Sequence, residues 1–241
     1  MKNQLRRERA RKLRRVVSVL EGALGRRRRR RRPDAMETIL FAIMADGVAD
    51  GRAEAVFEKI RELVVDWNEL RVTSAREIEA LLEGLPEAGV KAQAVRGFLG
   101  RLFLTEHVTT ADFMKNWSGS RASKYLDEIE SMTESMRARA LLKGFEMDVL
   151  PASVDIVRVM KRVGVLDSHL SQERAHEFLK EVVAPKRTYA FFHLVNEHGL
   201  TCCHQRGPDC ANCCISSDCE KFVSDKAKRT GGKKTAAEEV T

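Results

Sequence analysis

Hydrophobic positions recur along this chain at helical spacing almost from end to end. Residues 4–24 scatter Leu5, Leu13, Val16, Val17 and Leu20 among arginines, an amphipathic helix that Gly25 stops. Met36–Met44 reads as a short, strongly apolar helix opened by Asp34 or Glu37. Residues 53–65 set Val56, Phe57, Ile60, Leu63 and Val64 on one face. Residues 75–83 carry Ile78, Leu81 and Leu82 behind Ser74, a residue suited to cap a helix. Between 90 and 103, Val90, Ala94, Val95, Phe98, Leu99 and Leu102 form one stripe. Further helices are predicted near 109–116, 121–131, 134–144, 153–163, 171–182 and 188–198. Pro86, Pro151 and Pro185 fall between these segments, where a residue without a backbone N–H belongs. No segment alternates convincingly with period two. The pattern predicts an all-α body.

Composition narrows the class. The 241 residues are 43% hydrophobic and 32% charged, a globular balance, and no stretch approaches the ~18 apolar residues of a membrane helix. The net charge of +8 conceals a split. Residues 1–32 hold 15 Lys/Arg against 2 acids, residues 33–219 hold 22 against 29, and residues 220–241 hold 6 against 4. An acidic body therefore carries a basic arm, assigned to residues 1–33, with the body at 34–222 and a polar, disordered tail at 223–241. The arm closes on Arg26, Arg27, Arg28, Arg29, Arg30, Arg31 and Arg32 before Pro33. Such a run repels itself unless it meets a polyanion, so DNA or another polyanion is the expected partner, with no membrane.

All six cysteines lie between Cys202 and Cys219. A disulfide scaffold would spread them along the chain, so the local cluster points to a metal and to a reducing compartment, cytoplasmic or nucleoid-associated. One choice of four gives Cys203-x6-Cys210-x2-Cys213-x5-Cys219, enough thiolates to wrap one compact centre of iron–sulfur or zinc. Cys202 and Cys214 each abut a proposed ligand and either is able to replace its neighbour. Three nearby histidines, His193, His198 and His204, are read as packing or rim residues.

This cysteine spacing, preceded by His198-Gly199, resembles the iron–sulfur loop of endonuclease III in the helix-hairpin-helix DNA glycosylase superfamily. Ile156–Val159 and Lys161–Gly164 resemble the helix after that family's catalytic loop, and Glu37–Met44 resembles the first helix of its six-helix barrel module. The resemblance runs through about residues 34–222. It implies two helical lobes, a six-helix barrel module and a cluster-bearing lobe, with DNA between them and a [4Fe–4S] cluster in a C-terminal iron–sulfur loop. Zinc is the alternative metal.

The same register removes the family's chemistry. The hairpin, roughly Leu-Pro-Gly-Val-Gly-Arg-Lys-Thr-Ala in the family, reads Met132 to Ala140 here, with Glu134 and Met136 at the glycines and Ala138 at the nucleophilic lysine. The catalytic aspartate position falls on Ser153, with Asp155 two residues later as the remaining candidate. Arg137, Arg139 and Arg206 are candidate phosphate contacts. The expectation is a DNA-binding iron–sulfur protein of the base-excision repair family with lost or altered glycosylase and abasic-lyase catalysis. The alternatives are an active N-glycosylase using Asp155 or another residue, and a redox or interaction protein that does not act on DNA.

Overall fold

A computed structural model describes residues 2–26 and 34–235, with the side chains of 4–26 and 34–227. In chain order its helices are α1 (Lys2–Leu24), α2 (Ala35–Met44), α3 (Asp50–Leu63), α4 (Glu69–Val72), α5 (Ala75–Leu81) and α6 (Ala88–Glu106). They continue with α7 (Gly119–Asp127), α8 (Glu134–Gly144), α9 (Val154–Val163), α10 (Gln172–Val182), α11 (Thr188–Thr201) and α12 (Glu220–Thr235). No strand occurs among the described residues, so the fold is all-α as the periodicity requires. No described helix is long and apolar enough to cross a membrane. The chain divides into two compact units, one containing α2–α8 and the other α1 with α9–α12.

The α2–α8 unit is built around α2, which packs on α3, α6 and α8. Asp34 caps α2, its carboxylate accepting from the Met36 amide at 2.8 Å. Every residue from Thr38 to Met44 is buried, the mark of a helix apolar all round. Ser74 opens α5 with a reciprocal capping box to Glu77, as its place before the apolar run predicts. Phe57 packs on Phe41 and on Trp67, and Trp117 on Phe113 and Tyr125, placing both tryptophans against the core. The helix expected near 109–116 shrinks to a single 3-10 turn at Asp112–Met114. Ala111 and Met114 are buried there and Phe113 turns onto Trp117, so tertiary packing overrides the helical spacing.

The second unit corrects the picture of a separate arm. Of the stripe predicted for α1, Leu13, Val16, Val17 and Leu20 are buried while Leu5 is half exposed, and α1 packs on α11. Burying such side chains contributes roughly 1.5–3 kcal/mol each before the entropy of ordering them. Ion pairs fasten the flank: Arg6 to Glu181, Arg9 to Asp167, Lys12 to Glu220 and Arg15 to Asp218. The hydrogen bond from Arg9 holds the Asp167 carboxyl below its usual range. The tail also differs from expectation, because α12 runs to Thr235 and packs on α9. Of the predicted arginine run only Arg26 is described, 3.4 Å from Glu21; Arg27–Arg32 and residues 236–241 lie outside the described residues.

Candidate metal centre and hairpin

The cysteine loop follows α11 directly. The His198 carbonyl accepts from the Cys202 and Cys203 amides at 3.0 and 2.8 Å, which ends the helix and turns the chain. Gly207, at φ +62°, supplies the left-handed turn of the following loop. The Asp209 carboxylate then accepts from the Asn212 amide, folding the short turn that carries Cys210 and Cys213. Cys202, Cys203, Cys210, Cys213 and Cys219 all line one cavity of about 600 Å³, closed on one side by Phe222. Cys214 is exposed and outside the cavity lining. All six cysteines are free thiols.

Two arginines of α9, one turn apart, brace this loop. Arg158 donates to the Cys203 carbonyl at 2.9 Å and the Gly199 carbonyl at 2.7 Å. Arg162 donates to the Cys203 thiol at 3.2 Å, to the His204 carbonyl at 2.7 Å and to the Gln205 carbonyl at 3.1 Å. In return, the Cys219 thiol donates to the Arg162 carbonyl at 3.3 Å. Neither arginine stands out as a site residue in the sequence. The signal available was a basic i, i+4 pair on a helix that precedes a cysteine cluster.

Burial governs the thiols. It pushes Cys213 up to about 12 and raises Cys202 and Cys219, while it drives His198 down to about 4. Neutral thiols around one cavity become good ligands once a cation offsets the charge of the thiolates, and a coordinated thiol loses its proton. His198, buried, sits 3.7 Å from Cys213, and with Cys202 these three donors lie within 4.8 Å of one another, a group able to hold a metal ion. The donor set, its burial and its cationic brace fit a thiolate-bound metal centre. Cys202 therefore reaches the cavity together with Cys203.

Asp155 is engaged in an ion pair at the start of α9. Ser153, not Asp155, caps α9, accepting from the Ile156 amide and donating to Asn196 at 2.7 Å. Asp155 instead pairs with Arg158 at 2.6 Å, with only 15% of its side chain exposed. It holds the arginine that braces the cysteine loop. The glycine of the His-Gly pair has a geometric reason: a Cβ at Gly199 would come 2.9 Å from that of Asp155.

The hairpin lies in the other unit. Thr133 caps α8, accepting from the Met136 amide, so the helix begins at Glu134. Ala138 is buried in that helix. Arg139 is corrected as a phosphate contact, because it is 2% exposed and paired with Asp50 at 2.6 Å. Arg137 is drawn inward as well, to Asp127 at 3.1 Å and to the Met132 carbonyl. Arg206 is exposed on the cysteine loop. The division into units also localises the acidity: residues 34–152 hold 14 Lys/Arg against 21 Asp/Glu, whereas residues 153–219 hold 8 of each.

One lysine here has an unusual environment. Lys91 of α6 is 1% exposed and donates to the Pro86 carbonyl at 2.8 Å. Burial lowers it to about 8, against the opposing pull of Asp46 and Glu87. A depressed lysine suits an amine nucleophile, but enclosure denies it a substrate. Its signature is therefore in stability. Below pH 8 the lysine is charged both folded and unfolded, and the folded state bears the burial cost. Between pH 8 and 10.5 the unfolded chain binds more protons, so stability rises with pH, by about 3 kcal/mol in all. In Lys91→Met this increment is expected to vanish. Urea unfolding of both proteins from pH 7 to 10.5 measures it, and a constant difference across that range contradicts it.

No family model matches the chain. A curated relative, the endonuclease III of Sulfolobus acidocaldarius, is 24% identical over 191 residues, covering 78% of this chain and 82% of that protein. Among solved structures, a trapped endonuclease III–DNA covalent intermediate matches with a TM-score of 0.69 at 12% identity, over 90% of this chain and 98% of the other. A thermostable thymine-DNA glycosylase matches with a TM-score of 0.63 at 15% identity, over 92% and 99%. The 8-oxoguanine glycosylase/lyase of Clostridium acetobutylicum, bound to DNA, gives 0.59 at 14% identity, over 82% and 70%. The chain is thus endonuclease III-like in sequence, and its all-α fold is the one these DNA glycosylase structures share.

Proposed function

We propose that the protein binds DNA and carries an iron–sulfur cluster, and that its lysine-dependent glycosylase and abasic-lyase chemistry has been lost or altered. The observation that carries this reading is α8. Its start is a side-chain-capped helix with Glu134 in the first turn and buried Ala138 at the nucleophile position, leaving neither a glycine-lined phosphate seat nor an amine. Ser153 is spent as a helix cap and Asp155 as the partner of Arg158, which leaves little for a reading in which Asp155 performs base release. Relatives of the same fold supply the support for DNA, since endonuclease III itself has been captured on it.

Cys203, Cys210, Cys213 and Cys219 would hold a [4Fe–4S] cluster, with zinc as the alternative and Cys202 as a fifth thiol within reach of the cavity. Bound, such a cluster supplies a thiolate-ligated cross-link with redox capability. The chain's own contribution is positioning: Arg162 donates to one ligand sulfur and, with Arg158, fixes the carbonyls around it. The acidity of residues 34–152 favours a second reading, a redox or interaction protein that does not act on DNA.

Borohydride trapping on duplex containing an abasic site tests the reaction. The expected result is a mobility shift without a trapped adduct, and no base release from oxidised pyrimidines. A covalent adduct, or release of a base, overturns the loss of catalysis. A protein that shifts no duplex favours the second reading.

A further inference from the structure

We infer that the outward stripe of α1 is a binding surface for the phosphate backbone of duplex DNA. At 100° per residue, α1 turns an arc of about 60° away from its buried face, and its side chains fall into three sets. Leu13, Val16, Val17 and Leu20 fill the core. Arg6, Arg9, Lys12 and Arg15 are engaged by carboxylates of the same unit. The outward arc carries Arg7, Arg11 and Arg14, spaced by four and three residues so that their side chains rise one above another. All three are exposed and form no ion pair with any described residue.

The same stripe continues through Ser18, Gly22 and Gly25, also exposed. A Cβ on Gly22 would meet nothing within 4 Å, so packing does not require that glycine, whereas Gly25, at φ +80°, serves the turn that ends the helix. Gly22 lies within the helix and costs it about 1 kcal/mol relative to alanine. The consequence is an open floor beside three guanidinium groups without an ion pair among the described residues, with Arg26 following in the chain. From Arg7 to Gly25 the stripe spans about 27 Å, the axial rise of roughly eight base pairs.

The chemistry of this surface selects its partner. A protein partner would want an aromatic or aliphatic anchor in a pocket, and the stripe has none between Arg7 and Gly25. An anionic membrane would attract the same cations, but the apolar face that would insert into it is buried in the protein, which leaves three charges alone to hold it. A polyanion backbone needs only cations at helical spacing and room to approach. This inference rests on the reading that the protein binds DNA, and it moves much of the grip from the hairpin to α1.

The test uses the full chain with its metal in place. Arg7→Gln, Arg11→Gln and Arg14→Gln combined are compared with wild type by fluorescence anisotropy on an undamaged duplex, across a salt series. The triple variant is expected to bind at least tenfold more weakly. Its slope of log K against log salt should be shallower by about 2–3, at 0.9 per lost phosphate contact. Ser18→Arg, which extends the stripe, should steepen the slope by about one contact and tighten binding. Wild-type binding with unchanged affinity and slope in the triple variant overturns the inference, as does a Ser18→Arg protein with no gain. Failure of the wild type to bind duplex at all overturns the DNA-binding reading itself.

Discussion

Cys210→Ser or Cys213→Ser is expected to strip the metal from the protein and loosen the loop from residue 202 to 219. The two thiols are the closely spaced pair of the cluster pattern, and both face the shared cavity. Cys213 is the thiol that burial pushes furthest, up to about 12, so it depends most on a cation to ionise. Cys214, adjacent in sequence, is exposed and outside the lining, and Cys214→Ser should keep its full iron content. Iron and acid-labile sulfide analysis with the visible absorption spectrum reads all three variants. The same measurement separates Cys202 from Cys203: Cys202→Ser is expected to retain iron and Cys203→Ser to lose it. The opposite pair of results moves the ligand to Cys202. Because metal binding and folding are linked, the loss should also appear as a lower melting temperature.

Arg139→Ala should destabilise the protein by about 2–3 kcal/mol, below the cost of breaking a fully buried charge pair because the Asp50 side chain is 35% exposed. The guanidinium is 2% exposed and meets Asp50 at 2.6 Å, so its removal leaves both a void and a carboxylate without that partner. Urea unfolding measures the loss. A change below about 1 kcal/mol, or a stable Arg139→Ala protein with a selective defect in duplex binding, would restore Arg139 to the phosphate-contacting set. This substitution sharply distinguishes a structural arginine from a ligand-binding one, because sequence alone gives the two the same appearance.

The chain's apolar spacing made the helices legible where the stripe was long. Residues 134–144, 153–163 and 171–182 match α8, α9 and α10 closely, since capping residues stand at each start: Thr133, Ser153 and Ser171. The reading failed at 109–116, where a local pattern yielded to aromatic packing, and at 220–235, whose composition is polar. Leu63 and Val90 were placed on core faces yet are 58% and 44% exposed, because a helix's buried arc narrows near its ends. The grouping of the cysteines was the most legible part of the candidate site, as spacing along a loop constrains what one cavity can gather.

The sequence by itself determined the all-α class and the gathering of six cysteines into one short loop, and it carried the proposals that Ala138 stands at the lysine position and Ser153 at the aspartate position. These follow from local periodicity, short-range spacing and residue identity, none of which needs distant contacts. Only the tertiary structure decided the partner of each charge. Arg139 and Arg137 turned inward to Asp50 and Asp127, Asp155 turned to Arg158, and α1 proved to be a packed helix with one flank tied down. A charge's role depends on what lies within a few ångströms of it, and those neighbours sit up to about two hundred residues away, as with Lys12 and Glu220. That Arg7, Arg11 and Arg14 of α1 form no ion pair among the described residues is therefore a property of the fold and not of the arginine count.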